Sequence, residues 1–139
     1  MFVGLRRLVP FVALVALAGC LAATAPAARR PFRATLTADT HRPKIIVNWY
    51  YTVRVTDLRG RPLRARITVR IKDPLGGIHP VQFGRVKKDI RNYPIVGRFR
   101  DWVNWPRNSA IPGVTLVFQV VVKTAKGSVI LSYAVHPHA

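Results

Sequence analysis

The chain has 139 residues, room for one domain and a leader, and half of them are hydrophobic, which excludes a globally disordered polymer. Against 23 Lys and Arg stand 5 acids, all Asp, for a formal charge of +18; with no Glu for helix surfaces, the composition points to strands. A single cysteine, Cys20, excludes an internal disulfide framework and a cysteine-ligated zinc site.

Residues 1–28 have the layout of an export signal. Arg6 and Arg7 make a basic start, residues 8–17 are an apolar run interrupted only by Pro10, and small residues follow. The run is too short and too rich in Ala for a span, which takes about 20 strongly apolar residues. Leu17-Ala18-Gly19-Cys20, at the end of this leader and on the only Cys, resembles the lipobox of bacterial lipoproteins. That resemblance implies a diacylglycerol on the Cys20 thiol and cleavage just before it. Loss of Arg6 and Arg7 would leave 21 cations against 5 acids. Arg29, Arg30 and Arg33 would then lie beside the membrane, where a lipid together with a basic patch anchors stably and one acyl chain alone does not. Two alternatives stay open: ordinary secretion after cleavage at a small-x-small site such as Ala25-Pro26-Ala27, and retention of the leader as an anchor. All three place the protein outside the cytoplasm, at the outer face of the cell membrane or free in the medium.

Residues 29–139 form the domain. Residues 32–38 read as a short first strand, followed by a turn at 39–43 and a further apolar piece at 44–47. The stretch 49–72 organises the rest. Tyr51, Val53 and Val55 alternate with Thr52, Arg54 and Thr56; after the turn Asp57-Leu58-Arg59-Gly60-Arg61-Pro62, Ala65, Ile67, Val69 and Ile71 alternate with Arg64, Arg66, Thr68, Arg70 and Lys72. Period-two alternation predicts a hairpin with one buried and one wet face. Residues 73–77 break it, residues 78–83 suit an edge strand because of Pro80, and 84–94 read as a basic loop. Residues 95–103 predict a strand with a bulge or close approach at Gly97. Residues 114–123 and 128–135, joined by Thr124-Ala125-Lys126-Gly127, predict a second hairpin whose first strand, apolar on both faces, is central. About seven strands with regular turn signals predict an all-β, antiparallel β-sandwich.

The pattern Tyr51-x-Val53-x-Val55-x-Asp57-x-x-Gly60-x-Pro62-Leu63-x-Ala65-x-Ile67-x-Val69 is similar to the strand–turn–strand element of bacterial immunoglobulin-like modules. Transthyretin-like and macroglobulin-like sandwiches share that element, and the Cys pair of antibody domains is missing. The resemblance implies a scaffold or binding module of exported and surface proteins.

Pleat parity that buries 65, 67, 69 and 71 turns Arg64, Arg66, Arg70 and Lys72 outward along roughly 27 Å of strand at about 3.4 Å per residue. Arg54 is expected beside them on the neighbouring strand. Arg85, Lys87, Lys88 and Arg91 make a second cluster, Arg98 and Arg100 a third, whereas residues 108–139 hold only Lys123 and Lys126. Charge gathered in this way predicts a surface for a polyanion, namely lipid head groups or anionic wall polymers. The plainer reading is that cations merely solvate strand faces and blunt edges. Nucleic acid is not expected as the native partner, because no helix-turn-helix, RNA-recognition or zinc-finger pattern is present. The runner-up is a freely secreted domain that binds a protein partner through its edge strands.

Trp49, Tyr50, Tyr51, Tyr93, Trp102 and Trp105 suit core packing more than ligand stacking, yet Trp102 and Trp105 have opposite parity, so one of them is expected to be exposed. His136 and His138, with His41 and His79 elsewhere, make a poor metal set, and no metal or cofactor is expected. No Ser sits in a nucleophile-elbow context, no Glu exists, and the Asp spacing suits no acid–base pair; Asp101 reads as a charge partner of Arg100. A non-enzymatic role follows.

Intact mass of the protein from its native host tests the leader. The expected species starts at Cys20 and carries a lipid; an unmodified chain starting near Ala28 eliminates the anchor.

Overall fold

Parity is the rule from which the architecture is built: Trp49, Tyr51, Val53 and Val55 are buried, as are Ala65, Ile67 and Val69, while their even-numbered neighbours turn outward. The computed structural model describes residues 30–139; the leader, Arg29 and Cys20 lie outside them. Eight strands are present among the described residues: β1 Arg33–Ala38, β2 Asn48–Thr56, β3 Arg64–Lys72, β4 Ile78–Pro80, β5 Tyr93–Val96, β6 Arg98–Asn104, β7 Leu116–Thr124 and β8 Gly127–Val135. A 3-10 turn, Arg107–Ser109, interrupts the β6–β7 connection. Among the described residues no helix is long and apolar enough to cross a membrane.

All pairings between the named strands are antiparallel, and the isolated Lys44–His138 bridge is parallel. One sheet has the order β1-β2-β6, the other β4-β3-β7-β8, with β5 alongside β4 on the same edge of β3. The strand positions around 49–72 match expectation, but the hairpin does not. β2 and β3 lie in different sheets, so residues 57–63 form an arch from one layer to the other. Only Thr56 and Pro62 bridge at its base, with the Leu63 N–H donating to the Val55 carbonyl at 3.1 Å. The physical reason is the apolar face each strand carries: placed in opposite layers, the two faces cover each other across the core. The expected strand at 95–103 is likewise divided. Gly97, at φ +70°, turns the chain from β5 in one sheet to β6 in the other, and a Cβ there would lie 2.6 Å from the Pro62 Cβ. Residues 44–47 are a bend with one bridge at Lys44, not a strand, and Ile46 has φ 60°.

Aromatic contacts join the layers. Phe118 of β7 meets Tyr51 at 4.7 Å and Trp49 at 5.1 Å, both edge-on. Around them Val53, Val55, Ile67, Val69, Val120 and Val122 are fully buried, each such side chain contributing about 1.5–3 kcal/mol. Trp49 donates its indole N–H to the Thr40 carbonyl at 2.8 Å. The Tyr51 hydroxyl has no partner, and burial, reinforced by nearby Asp101, raises its ionisation far above the ordinary phenol range.

Two aspartates hold the turns. Asp57 accepts the Arg59 and Arg61 N–H groups, both at 2.9 Å, and the Arg61 guanidinium at 2.7 Å. Asp73 accepts the Leu75 N–H at 2.9 Å, the Gly77 N–H at 2.8 Å and His79 at 2.8 Å. Both carboxyls are therefore held below the usual carboxylate range, Asp57 first by the Arg61 N–H and Asp73 first by His79. A depressed folded-state pKa stabilises the fold above the unfolded value near about 3.9 and is lost as pH falls through the folded value. Urea midpoints should accordingly hold from pH 6 to about pH 4 and fall below it. Asp57→Asn is expected to lower the plateau and flatten that fall; an unchanged acid limb would disprove the assignment.

Candidate functional site

The outer face of the five-stranded sheet follows from register. Arg64, Arg66, Arg70 and Lys72 stand on β3, and the outward row of the adjacent β7 is Val117, Gln119, Val121 and Lys123. No strand of this sheet contains an acid. Arg66 lies directly opposite Lys123. Like charges facing each other across a ladder destabilise it, so this pair is a local cost that folding alone does not explain. Two of the cations are positioned by hydrogen bonds: Arg66 donates to the Asn92 carbonyl at 3.0 Å, and Arg70 Nε donates to Gln119 Oε1 at 3.0 Å. Gln119 in turn reaches the Ser132 hydroxyl at 3.3 Å, which makes a polar row across three strands.

Arg54 does not join this face. Its strand belongs to the three-stranded sheet, so its side chain leaves the opposite side of the sandwich. There it faces Arg98 across the ladder, a second like-charge pair, with Thr35 on the other flank. A shallow cleft of about 490 Å³ lies over Thr35, Thr52, Arg54 and Arg98. The cations that the sequence joined in one surface are thus divided between two opposed faces. Arg85, Lys87, Lys88 and Arg91 are exposed on the segment between β4 and β5, which follows the β3 edge through the Ile90 carbonyl accepting from Val69 N–H at 3.0 Å. Arg91 is held by Asp89 at 3.6 Å.

The five aspartates are all engaged elsewhere. Asp39 accepts the Tyr50 N–H at 3.0 Å, Asp57 and Asp73 hold turns, Asp89 meets Arg91, and Asp101 accepts the Gly84 N–H at 3.0 Å. Asp101 forms no ion pair with Arg100; its carboxylate ties the 81–92 segment to β6 instead. Arg61, Arg91 and His79 are the only basic side chains paired with a carboxylate among the described residues.

Of the two tryptophans of opposite parity, Trp105 is buried at 1 % exposure and Trp102 is half-buried at the surface. Trp102 stands opposite Tyr50 on the outer face of the three-stranded sheet. The histidines go separate ways. His41 stacks on Tyr133 at 4.0 Å and bonds the Ala134 carbonyl, His79 binds Asp73, and His136 meets the Thr115 hydroxyl at 3.2 Å. No group of three metal-ligating side chains gathers among the described residues. Sequence reasoning missed Lys123 as a member of the cationic face, because a strand apolar in both parities signals centrality and not which row shares a surface with β3. It also missed the grouping of Phe83, Tyr93 and Phe99 beside Tyr50 and Trp102, since strand spacing carries no information on how the 81–92 segment crosses to β6.

No protein-family model matches the chain, and none of the curated proteins matches it.

The Arg66–Lys123 pair makes a prediction about stability. Lys123→Glu should raise the thermal midpoint, corresponding to roughly 0.2–1 kcal/mol, by giving Arg66 an opposite charge across the ladder. A lowered midpoint would show that the pair is not repulsive.

Proposed function

We propose that the protein is a non-catalytic binding module of the cell envelope, exported and tethered through lipid on Cys20, which lays the outer face of its five-stranded sheet on an anionic surface. One observation carries this reading: Arg64, Arg66, Arg70, Lys72 and Lys123 share a face whose strands contain no carboxylate. Cations held close to one another and left without counter-charges are suited to a partner that brings many negative charges at once. Each Lys or Arg near an anionic leaflet contributes about 1 kcal/mol, so a face of this kind needs no deep pocket. Lipid head groups and anionic wall polymers both present that chemistry.

The immunoglobulin-like part of the reading draws on strand order. A first sheet β1-β2-β6 and a second carrying β3-β7-β8 supports it, since immunoglobulin-type sandwiches also divide their second and third strands between layers. A non-catalytic role is supported by the engagement of every aspartate in a turn, a tie or an ion pair. The secreted, protein-binding reading has its own support in β8, an edge strand without a charged residue.

Retention on vesicles of neutral lipid against vesicles with an anionic fraction, across a salt series, tests the proposal. Binding is expected only to the anionic vesicles and should weaken as salt screens the face. Replacing Arg64, Arg66 and Arg70 with Gln removes three contacts, a loss on the order of 3 kcal/mol or roughly a hundredfold in affinity, with thermal unfolding nearly unchanged. Absent or salt-insensitive retention would reject the cationic face.

A further inference from the structure

The three-stranded sheet ends at β6, whose free edge is met by the segment 81–92 and not by another strand. Along that junction runs a cleft of about 780 Å³, inside the range of roughly 300–1,000 Å³ typical of small-molecule sites. Its surface is aromatic. Tyr50 and Trp102 face each other across the β2–β6 ladder, and Phe83, Tyr93 and Phe99 meet edge-on, with Phe83–Tyr93 at 4.9 Å and Tyr93–Phe99 at 5.8 Å. Phe83 and Phe99 pack against the core, whereas Tyr50 and Tyr93 stay 36 % and 40 % exposed around one concavity. The mouth is cationic: Arg85 and Arg100 line it, neither held in an ion pair, and the Arg100 guanidinium lies 5.0 Å from the Tyr50 ring centre.

The junction is rigidly set. The Gly84 N–H is fixed on the Asp101 carboxylate, and a Cβ at Gly84 would collide with the Trp102 indole, so the loop approaches that ring only because a side chain is missing. Asp101 places an acceptor in the same wall as two guanidinium donors.

We propose that this cleft binds an acidic saccharide, a short stretch of a carboxylated glycan. Sugar rings have apolar C–H faces that lie on aromatic rings, and their hydroxyls need acceptors as well as donors. Their carboxylates need guanidinium partners. The cleft offers all three within one wall. A phosphate backbone, which only accepts hydrogen bonds, would gain nothing from Asp101 and would be repelled by it. The inference rests on the polyanion reading and narrows it, naming a wall polymer as the anionic partner in preference to a lipid.

Oligogalacturonate serves as the probe, with neutral dextran oligomers, polyphosphate and oligothymidylate as comparisons, read by titration calorimetry and tryptophan fluorescence on the full chain. Oligogalacturonate is expected to bind with a fluorescence change and to weaken at least tenfold in Tyr50→Ala and in Arg100→Gln. The Arg64, Arg66 and Arg70 triple variant should retain it, since none of those residues lines the cleft. Two separate variants guard against misfolding of either, and an unchanged thermal midpoint qualifies each. Galacturonate binding equal to polyphosphate binding and unmoved by Tyr50→Ala overturns the cleft while leaving the cationic face intact. Equal binding of dextran overturns the acidic specificity, and tighter, Tyr50-dependent binding of oligothymidylate overturns the saccharide in favour of a nucleic acid. Failure of every polyanion, anionic vesicles included, overturns both readings.

Discussion

Phe118 reaching from one sheet to Tyr51 and Trp49 of the other is the contact on which the rest depends. It sets the separation of the layers and, through the pleat, decides which side chains each strand turns to water. Once Ile67, Val69, Val120 and Val122 close around it, the alternate positions of β3 and β7 have no freedom left. The cationic face is thus a by-product of core packing in its geometry, though not in its choice of residues. Thr or Ser at those positions would satisfy the same fold without setting Arg66 against Lys123.

Few acids make every one of them structurally committed. Asp57 and Asp73 accept several donors each, and Asp101 ties the segment 81–92 to β6. The protein therefore uses negative charge to shape its turns and leaves positive charge free on its surfaces. Cations on opposed faces also stand farther apart than they would on a single sheet, which lowers their mutual repulsion in a chain of such high charge.

Much of the fold was legible in the sequence because period-two alternation is a local signal. β2, β3, β7 and β8 fall where Tyr51, Val53, Ile67, Val69 and the turn at Ala125-Lys126 place them, and Gly97 marks a close approach. Layer assignment was not legible. Alternation in β2 and β3 is the same whether the strands pair or face each other across a core, so the arch at 57–63 reads as a hairpin and Arg54 is assigned to the wrong side. The aromatic cleft was invisible for a related reason. Its rings come from β2, β5, β6 and the segment 81–92, and only the tertiary path of that segment brings them together.

Separation of β2 from β3 has a further consequence, for the order of folding. Each sheet gains its central or closing partner from late in the chain: β3 waits for β7, and β2 waits for β6. Pairings of such sequence separation form slowly, because the intervening loop must be closed before any contact rewards it. The long hairpin of β7 and β8, joined by two residues, is the local nucleus best placed to start, and β3 closes onto its β7 side afterwards.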